Sequence, residues 1–272
     1  MKQIPIRPFS MHSEIDLKFL STKTGHKIAY KKTVGQGPTL IWCGGLKSDM
    51  EGGKATHLHD WALGKSRNFI RFDYFGHGQS SGLFREGTMS QWADDVVQVM
   101  DELTQGDIIL IGSSMGGWAS LLATQQRLTR VKALLLIAPA PDFTEKLTWK
   151  NWSEDQRQTL INDGIVYVPS DYDEPYEYSQ ALMEDGRINQ LLDSPIKFDG
   201  PVRILQGAQD SVVPWDYSHQ IVDVITSMDV DYTLVKTGDH SLSSPADLKR
   251  LISRAEELCR LIDGLGWPDN GY

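Results

Sequence analysis

The chain has 272 residues, of which 40% are hydrophobic, and its formal net charge is −9 at neutral pH. This length and composition suffice for one α/β domain with a large buried core, and the charge favours only solubility. Basic residues are scattered and outnumbered by acidic ones, 27 to 36, so nothing indicates a nucleic-acid partner.

The cysteines and the first residues bear on the cellular compartment. Cys43 lies in a predicted core strand and Cys259 in the predicted last helix. We interpret both as packing residues, which suits a reducing compartment. Residues 1–20 hold charges and prolines, and they contain no apolar run long enough for a signal peptide or a membrane span. We therefore expect a cytoplasmic protein without a membrane span.

Strand-like and helix-like segments alternate along the chain. This alternation predicts a mostly parallel sheet with helices on both faces, which is an α/β fold. In chain order the segments are a hairpin (residues 14–33), two strands (39–43 and 69–73), a helix (90–103), a strand (107–111), a helix from residue 117, three strands (133–138, 201–207 and 230–236) and a closing helix (245–265).

A long segment, residues 141–200, interrupts the alternation and is aromatic and polar. Its aromatic residues include Trp149, Trp152, Tyr167, Tyr172, Tyr176 and Tyr178. A connection of this length inside a compact domain is usually a functional lid. We expect a small helical cap inserted between two parts of the core, residues 1–140 and 201–272. The alternative is a peripheral surface decoration.

The sequence Gly-Ser-Ser-Met-Gly at residues 112–116 directly follows the aliphatic run at residues 107–111. A strand that stops at Gly-x-Ser-x-Gly before a helix is the context of a nucleophile elbow, in which a strained turn projects the serine oxygen into open space. Glycine two residues to either side avoids a Cβ clash there. Ser114, and not Ser113, has glycines at both positions. The pattern predicts Ser114 as a nucleophile, with a plain glycine-rich turn as the alternative.

The partners of such a serine are expected in the order acid, then histidine, each in the loop after a later strand. Asp210 follows the strand at residues 201–207, and His240 follows the strand at residues 230–236. Histidine is suited to accept the serine proton at neutral pH. A carboxylate on its other nitrogen fixes the tautomer. We predict Ser114, His240 and Asp210 as a catalytic triad.

Two other acidic residues compete for the role of Asp210. Asp239 is the neighbour of His240, and we interpret it as a loop-capping residue because sequence neighbours on a loop seldom face each other. Asp142 follows the strand at residues 133–138, where some α/β proteins keep their acid, and it stays open as an alternative.

The negative oxygen formed when Ser114 attacks an acyl carbon needs hydrogen-bond donors already in place. The backbone N–H of Met115, next to the nucleophile, is one predicted donor. The second is expected after the strand at residues 39–43, where two glycines let the backbone approach the site. We predict the N–H of Leu46, with a flexible turn as the alternative.

The remaining histidines suggest no metal site. His57 and His59 lie two residues apart on a predicted helix and so face different ways, even with Asp60 nearby. We interpret both as surface residues, and His77, in a glycine-rich loop, as a turn residue. No metal and no cofactor is predicted.

The chain resembles the α/β-hydrolase superfamily over nearly its whole length. It is similar, more narrowly, to the palmitoyl-protein thioesterases of the mitochondrial type that also cleave acyl glucuronides. The narrower resemblance is carried by residues 70–74, 112–118, 210–215 and 239–240. It implies a serine hydrolase of esters or thioesters whose triad falls on Ser114, Asp210 and His240. Two departures are Gly44, where the family commonly has His or Pro, and the first residues, in which we expect no transit peptide.

The expected function is hydrolysis of a carboxylic ester or thioester through an acyl-enzyme on Ser114. Alternatives are a carbon–carbon bond hydrolase or an acyl transferase on the same triad, and a non-catalytic binding protein on this fold. The partner is then a small-molecule or acylated substrate. The aromatic cap and the acidic run at residues 171–174 favour acyl chains with small or neutral leaving groups over acyl-coenzyme A. The sequence leaves the oligomeric state open.

Overall fold

The computed structural model describes residues 16–169 and 175–264. In chain order the strands are β1 (Lys18–Ser21), β2 (Lys27–Thr33), β3 (Gln36–Cys43), β4 (Arg67–Phe72), β5 (Ile108–Ser113), β6 (Val131–Ile137), β7 (Ile165–Val168), β8 (Tyr176–Ser179), β9 (Val202–Gly207) and β10 (Val230–Val235). The helices are α1 (Gly53–Gly64), α2 (Met89–Leu103), α3 (Met115–Gln126), α4 (Glu154–Asp163), α5 (Gln180–Ile188), α6 (Trp215–Val224) and α7 (Pro245–Ile262).

Within the described residues, eight strands form one sheet in the order β1-β2-β4-β3-β5-β6-β9-β10. The leading hairpin and its contact with β4 are antiparallel. All pairs from β4 to β10 are parallel. The predicted α/β fold is confirmed, and β10 is an edge strand, as its alternating sequence predicts.

The central strands are aliphatic on both faces because helices cover both faces. On β5, Ile108 and Leu110 pack with side chains of α2 and α3, whereas Ile109 and Ile111 pack with those of α1 and α7. A strand buried on both sides has no polar face, so its sequence is a continuous apolar run. None of the helices that the structure describes is both long enough and apolar enough to cross a membrane.

The chain between β6 and β9 forms a mixed α/β insertion. It contains a π-helical turn (Thr144–Trp149), α4, the antiparallel hairpin β7–β8 and α5. The prediction of a small helical cap missed this hairpin. Gly164, at a φ of 76°, ends α4, and the β-branched and aromatic run that follows it favours a strand. Tyr172 and the acidic run at residues 171–174 lie outside the described residues.

The insertion is attached to the core at the first turn of α2. The carboxylate of Asp185 accepts hydrogen bonds from the backbone N–H and the hydroxyl of Ser90, both at 2.7 Å. Farther along, the indole N–H of Trp118 on α3 donates to the carbonyl oxygen of Asn189 at 3.1 Å. A carboxylate at a helix N-terminus is favoured by the helix dipole. The contacts place the insertion beside the helix that follows Ser114.

The first turn of α3 lies directly against the end of β3. A Cβ atom built on Gly116 would lie 2.1 Å from the carbonyl oxygen of Cys43 and 2.3 Å from that of Gly44. A Cβ on Gly112 would lie 2.5 Å from the carbonyl oxygen of Gly116. Because these neighbours are backbone atoms, no side-chain rotation relieves the overlap. Both glycines are therefore required by packing, independently of any chemistry.

We expect Gly116→Ala to lower the free energy of unfolding by about 2–3 kcal/mol, since β3 and α3 must move apart. Gly64→Ala is the matched control, because a Cβ there meets nothing within 4 Å. It should leave stability unchanged or raise it by up to about 1 kcal/mol. Urea unfolding followed by circular dichroism measures both, and equal stability of the two variants would contradict the packing argument.

Candidate active site

The carboxyl ends of β5, β9 and β10 bring three predicted site residues together. The Nε2 atom of His240 lies 3.1 Å from the hydroxyl oxygen of Ser114. Its Nδ1 atom lies 2.8 Å from Oδ2 of Asp210. Loops that follow parallel strands meet at one edge of the sheet, which is why residues 126 and 30 positions apart in the chain become neighbours. The three side chains form one continuous line of hydrogen bonds.

Ser114 lies in a strained turn between β5 and α3. Its φ of 55° and ψ of −120° are a conformation that a residue with a side chain seldom adopts. The backbone on both sides fixes it: the N–H of Ser114 donates to the carbonyl oxygen of Ile137 at 2.9 Å, and its carbonyl oxygen accepts from the N–H of Ala140 at 3.1 Å. The residue is half-buried, and its hydroxyl oxygen faces His240.

The carboxylate of Asp210 is buried and accepts four hydrogen bonds. Oδ1 accepts from the backbone N–H groups of Val212 and Val213, at 2.9 and 2.8 Å. Oδ2 accepts from His240 and from the side-chain amide of Gln206 at 3.0 Å. Donors on every side of the carboxylate hold its orientation. Sequence reasoning missed Gln206, which is fully buried on β9, because a glutamine inside a strand carries no motif.

The loop that carries His240 is held by residues on either side of it. Asp239 accepts hydrogen bonds from the hydroxyl of Ser241 at 2.9 Å and the N–H of Leu242 at 3.0 Å, and these bonds lower its pKa. The ammonium group of Lys54 donates to the carbonyl oxygen of Ser241, and burial lowers the pKa of Lys54 to about 8. Asp239 thus caps its own loop, as its position in the sequence suggests.

Asp142, the alternative acid, is fully buried but has other partners. Its carboxylate accepts hydrogen bonds from the backbone N–H groups of Leu191 and Leu192, at 2.7 and 2.9 Å. The ammonium group of Lys146 lies 3.3 Å away. These contacts fix the chain where it returns from the insertion. Asp142 therefore holds the backbone in place, and the carboxylate that contacts His240 is that of Asp210.

The loop after β3 approaches Ser114 closely. A Cβ atom built on Gly45 would lie 3.4 Å from the Cβ of Ser114, and the hydroxyl of Ser48 donates to the carbonyl oxygen of Gly45 at 2.8 Å. Met115 begins α3, and the first N–H groups of a helix have no acceptor within the helix. The predicted oxyanion donors, the N–H groups of Leu46 and Met115, therefore come from the two segments that flank the serine.

Two of the other histidines differ from their predicted roles. His59 was predicted at the surface, and this is wrong: it is 2% exposed and its Nδ1 accepts a hydrogen bond from Nε of Arg71 at 3.1 Å. Burial, with the nearby Arg71 charge, lowers its pKa to about 4. His57 is exposed, as predicted. His77 is buried under the loop after β3, so it is more than a turn residue. Within residues 16–169 and 175–264, no group of three metal-ligating side chains is found.

The family model of the alpha/beta hydrolase fold matches residues 60–168. The human palmitoyl-protein thioesterase ABHD10, a mitochondrial protein by its name, is 35% identical over 244 residues, which are 89% of this chain and 79% of that protein. The mouse protein of the same name is 36% identical over 89% of this chain and 82% of its own.

Solved structures agree with these sequence relatives. A putative hydrolase from Agrobacterium vitis S4 superimposes with a TM-score of 0.86 and 38% identity over 90% of this chain and 99% of that one. Mouse alpha/beta hydrolase domain-containing protein 10 superimposes with a TM-score of 0.83 and 35% identity, over 92% of this chain and 100% of its own.

These relatives also correct the predicted compartment. The ABHD10 proteins are named mitochondrial, so the prediction of a cytoplasmic protein is wrong. Two buried free thiols, Cys43 and Cys259, suit any reducing compartment, and the cytoplasm is not the sole compartment of that kind. Composition therefore could not support the choice. The relatives cover most of both chains, and they show that this chain belongs to the α/β-hydrolase family and resembles, within it, the palmitoyl-protein thioesterase ABHD10 proteins.

Proposed function

We propose that this hydrolase cleaves carboxylic esters or thioesters through an acyl-enzyme on Ser114. The observation that carries the proposal is the line of hydrogen bonds from Ser114 through His240 to Asp210, at 3.1 and 2.8 Å. Covalent acyl transfer requires a nucleophile that is hydrogen-bonded to a base, and a third group that orients the base.

The first half-reaction forms the acyl-enzyme. Nε2 of His240 takes the proton of the Ser114 hydroxyl as its oxygen attacks the acyl carbon, and the resulting oxyanion accepts hydrogen bonds from Leu46 and Met115. The tetrahedral intermediate collapses and the bond to the leaving oxygen or sulfur breaks. His240 returns its proton to that atom. The second half-reaction repeats these steps with water as the nucleophile, which releases the acid and free Ser114.

Asp210 acts through His240. Its contact with Nδ1 leaves Nε2 free of a proton and facing Ser114, and its charge stabilises the imidazolium that forms in each half-reaction. Since four donors surround the carboxylate, it stays in place while the proton moves. The names of the ABHD10 relatives, palmitoyl-protein thioesterases, support an acyl substrate and a thioester bond among those cleaved.

The insertion between β6 and β9 serves as a cap over the acyl-binding side. Phe143, at its start, packs edge-on against Trp118 of α3, with 5.6 Å between ring centroids. Farther in, Trp152 and Tyr178 are buried against each other at 5.5 Å. An insertion rich in aromatic side chains favours burial of an apolar acyl chain. The proposed division is a core of residues 1–140 and 201–272 with a cap at residues 141–200.

For the nucleophile, we expect a fluorophosphonate probe to label Ser114 once, and Ser114→Ala to lower kcat by about 10⁴-fold or more. Ser113→Ala is the matched control, because Ser113 is the last residue of β5 and is buried. It should keep the label and most of the activity. Mass spectrometry of the labelled peptide and steady-state kinetics measure these outcomes. Labelling of Ser113, or an active Ser114→Ala enzyme, would overturn the mechanism.

For the acid, we expect Asp210→Asn to lower kcat on the order of 10⁴-fold, because an amide facing Nδ1 favours the wrong tautomer of His240. Asp142→Asn places the same change on the buried carboxylate that is the alternative candidate. There it should reduce thermal stability and leave kcat within about threefold, as at a structural site. Kinetics and thermal unfolding of the pair decide the assignment. A severe kinetic loss in Asp142→Asn with a mild loss in Asp210→Asn would reverse it.

For the substrate, we expect kcat/KM to rise about fourfold per methylene along a saturated acyl series until the pocket is filled, which corresponds to about 0.8 kcal/mol per methylene. Thioesters should be at least as reactive as matched oxygen esters, and small neutral leaving groups should be preferred over coenzyme A. The measurement is kcat/KM for each chain length with both leaving atoms and with acyl-coenzyme A. If kcat/KM did not change with chain length and acyl-coenzyme A were the preferred substrate, the proposal of an apolar acyl pocket would be contradicted.

A further inference from the structure

A buried histidine lies directly beneath the loop that provides the proposed oxyanion donor. Nε2 of His77 accepts a hydrogen bond from the backbone N–H of Lys47 at 3.1 Å. Lys47 is the next residue after Leu46, so the peptide unit held by His77 is the one that follows the proposed donor. His77 comes from the loop after β4 and is 30 residues away in the chain.

The surroundings of His77 allow one tautomer. Because Nε2 accepts a hydrogen bond, the proton lies on Nδ1, which donates to the carbonyl oxygen of Phe75 at 3.1 Å. The ring is 4% exposed and meets Tyr74, Phe84 and Trp92 edge-on, at centroid distances of 5.7, 5.1 and 5.2 Å. Burial lowers the pKa of His77 to about 4. The ring is therefore a neutral, fixed acceptor at physiological pH.

Lys47 needs such an external restraint. Its φ of 56° is unfavourable for a residue with a side chain and persists only where the surroundings impose it. Its ammonium group reaches the insertion, donating to the carbonyl oxygen of Pro175 at 2.9 Å. The far end of the loop is fixed separately, since the N–H of Met50 donates to Oδ1 of Asp73 at 2.7 Å. The chain at Leu46 is thus held on both sides: His77 accepts from the Lys47 N–H that follows it. The N–H and hydroxyl of Ser48 donate to the carbonyl oxygen of Gly45 that precedes it, at 3.2 and 2.8 Å.

We propose that His77 is a positioning residue for the oxyanion hole, which it acts on by holding the Lys47 N–H and thereby setting the direction of the Leu46 N–H. The inference rests on the proposed function. A donor that is displaced by a few tenths of an ångström still permits substrate binding, but it stabilises the oxyanion less. The loss of His77 therefore lowers kcat rather than raising KM.

Two amide variants separate the two hydrogen bonds of the ring. The side chain of Gln places its oxygen near the position of Nε2 and can accept from Lys47, whereas Asn reaches only the position of Nδ1 and keeps the bond to Phe75. With p-nitrophenyl butyrate as substrate, we expect His77→Asn to lower kcat about 10- to 100-fold with KM within about twofold. This loss is smaller than the 10²–10³-fold that follows removal of a donor. His77→Gln should recover kcat to within about fivefold of the unmodified enzyme.

A tetrahedral inhibitor gives a readout that a merely structural role would not move. Butylboronic acid forms a serine adduct with an oxygen in the oxyanion hole. Its inhibition constant should increase in His77→Asn in proportion to the loss of kcat/KM. The inhibition constant of butyrate should change less than about twofold, as expected for ground-state binding. Retention of kcat and of boronate affinity in His77→Asn would overturn the inference, as would a His77→Gln enzyme, folded by circular dichroism, that loses more than tenfold in kcat. An unmodified enzyme that cleaves neither esters nor thioesters would instead overturn the proposed function.

Discussion

The close contact between Gly116 and the end of β3 is the constraint on which the site depends. The carbonyl oxygens of Cys43 and Gly44 occupy the space where a Cβ of Gly116 would be, at 2.1 and 2.3 Å. Because Gly116 has no side chain, the first turn of α3 can lie directly against the loop after β3. As a result, the N–H groups of Met115 and Leu46 come from segments that touch one another, on either side of the serine. A larger residue at position 116 would separate the two halves of the proposed oxyanion hole.

The acid and the base depend on a second contact of the same kind. A Cβ atom on Gly207, the last residue of β9, would lie 2.4 Å from the carbonyl oxygen of Gly238 and 2.5 Å from that of Asp239. The N–H of Gln209 donates to the carbonyl oxygen of Gly238 at 2.9 Å. Backbone contacts therefore hold the loops after β9 and β10 together, independently of the contact between their side chains. This backbone contact sets the distance between Asp210 and His240, and the hydrogen bond between their side chains fixes their orientation.

The sequence predicts the features that depend on local patterns and misses those that depend on distant packing. The sheet, its parallel pairing and the position of Ser114 follow from aliphatic runs and glycine spacing, which act over a few residues. The hairpin β7–β8 was missed because strands of four residues leave a weak periodic signal. His59, His77 and Gln206 were missed or misassigned because their burial is created by the way other segments pack over them in the fold. No local pattern distinguishes a histidine that will be covered from one that will not.

His77 and His240 show how the surroundings, and not the residue type, decide what a histidine does. Both nitrogens of His77 are occupied by backbone groups, Lys47 on one side and Phe75 on the other, so its proton has nowhere to go. His240 has a carboxylate at Nδ1 and a serine hydroxyl at Nε2, and its side chain is 29% exposed. In the proposed mechanism, His240 takes a proton from Ser114 or from water while Asp210 faces its other nitrogen, and it then passes that proton to the leaving group or back to Ser114. In the proposed chemistry the buried histidine supplies a fixed acceptor and the half-buried one a proton carrier, so that the oxyanion is held while the proton moves.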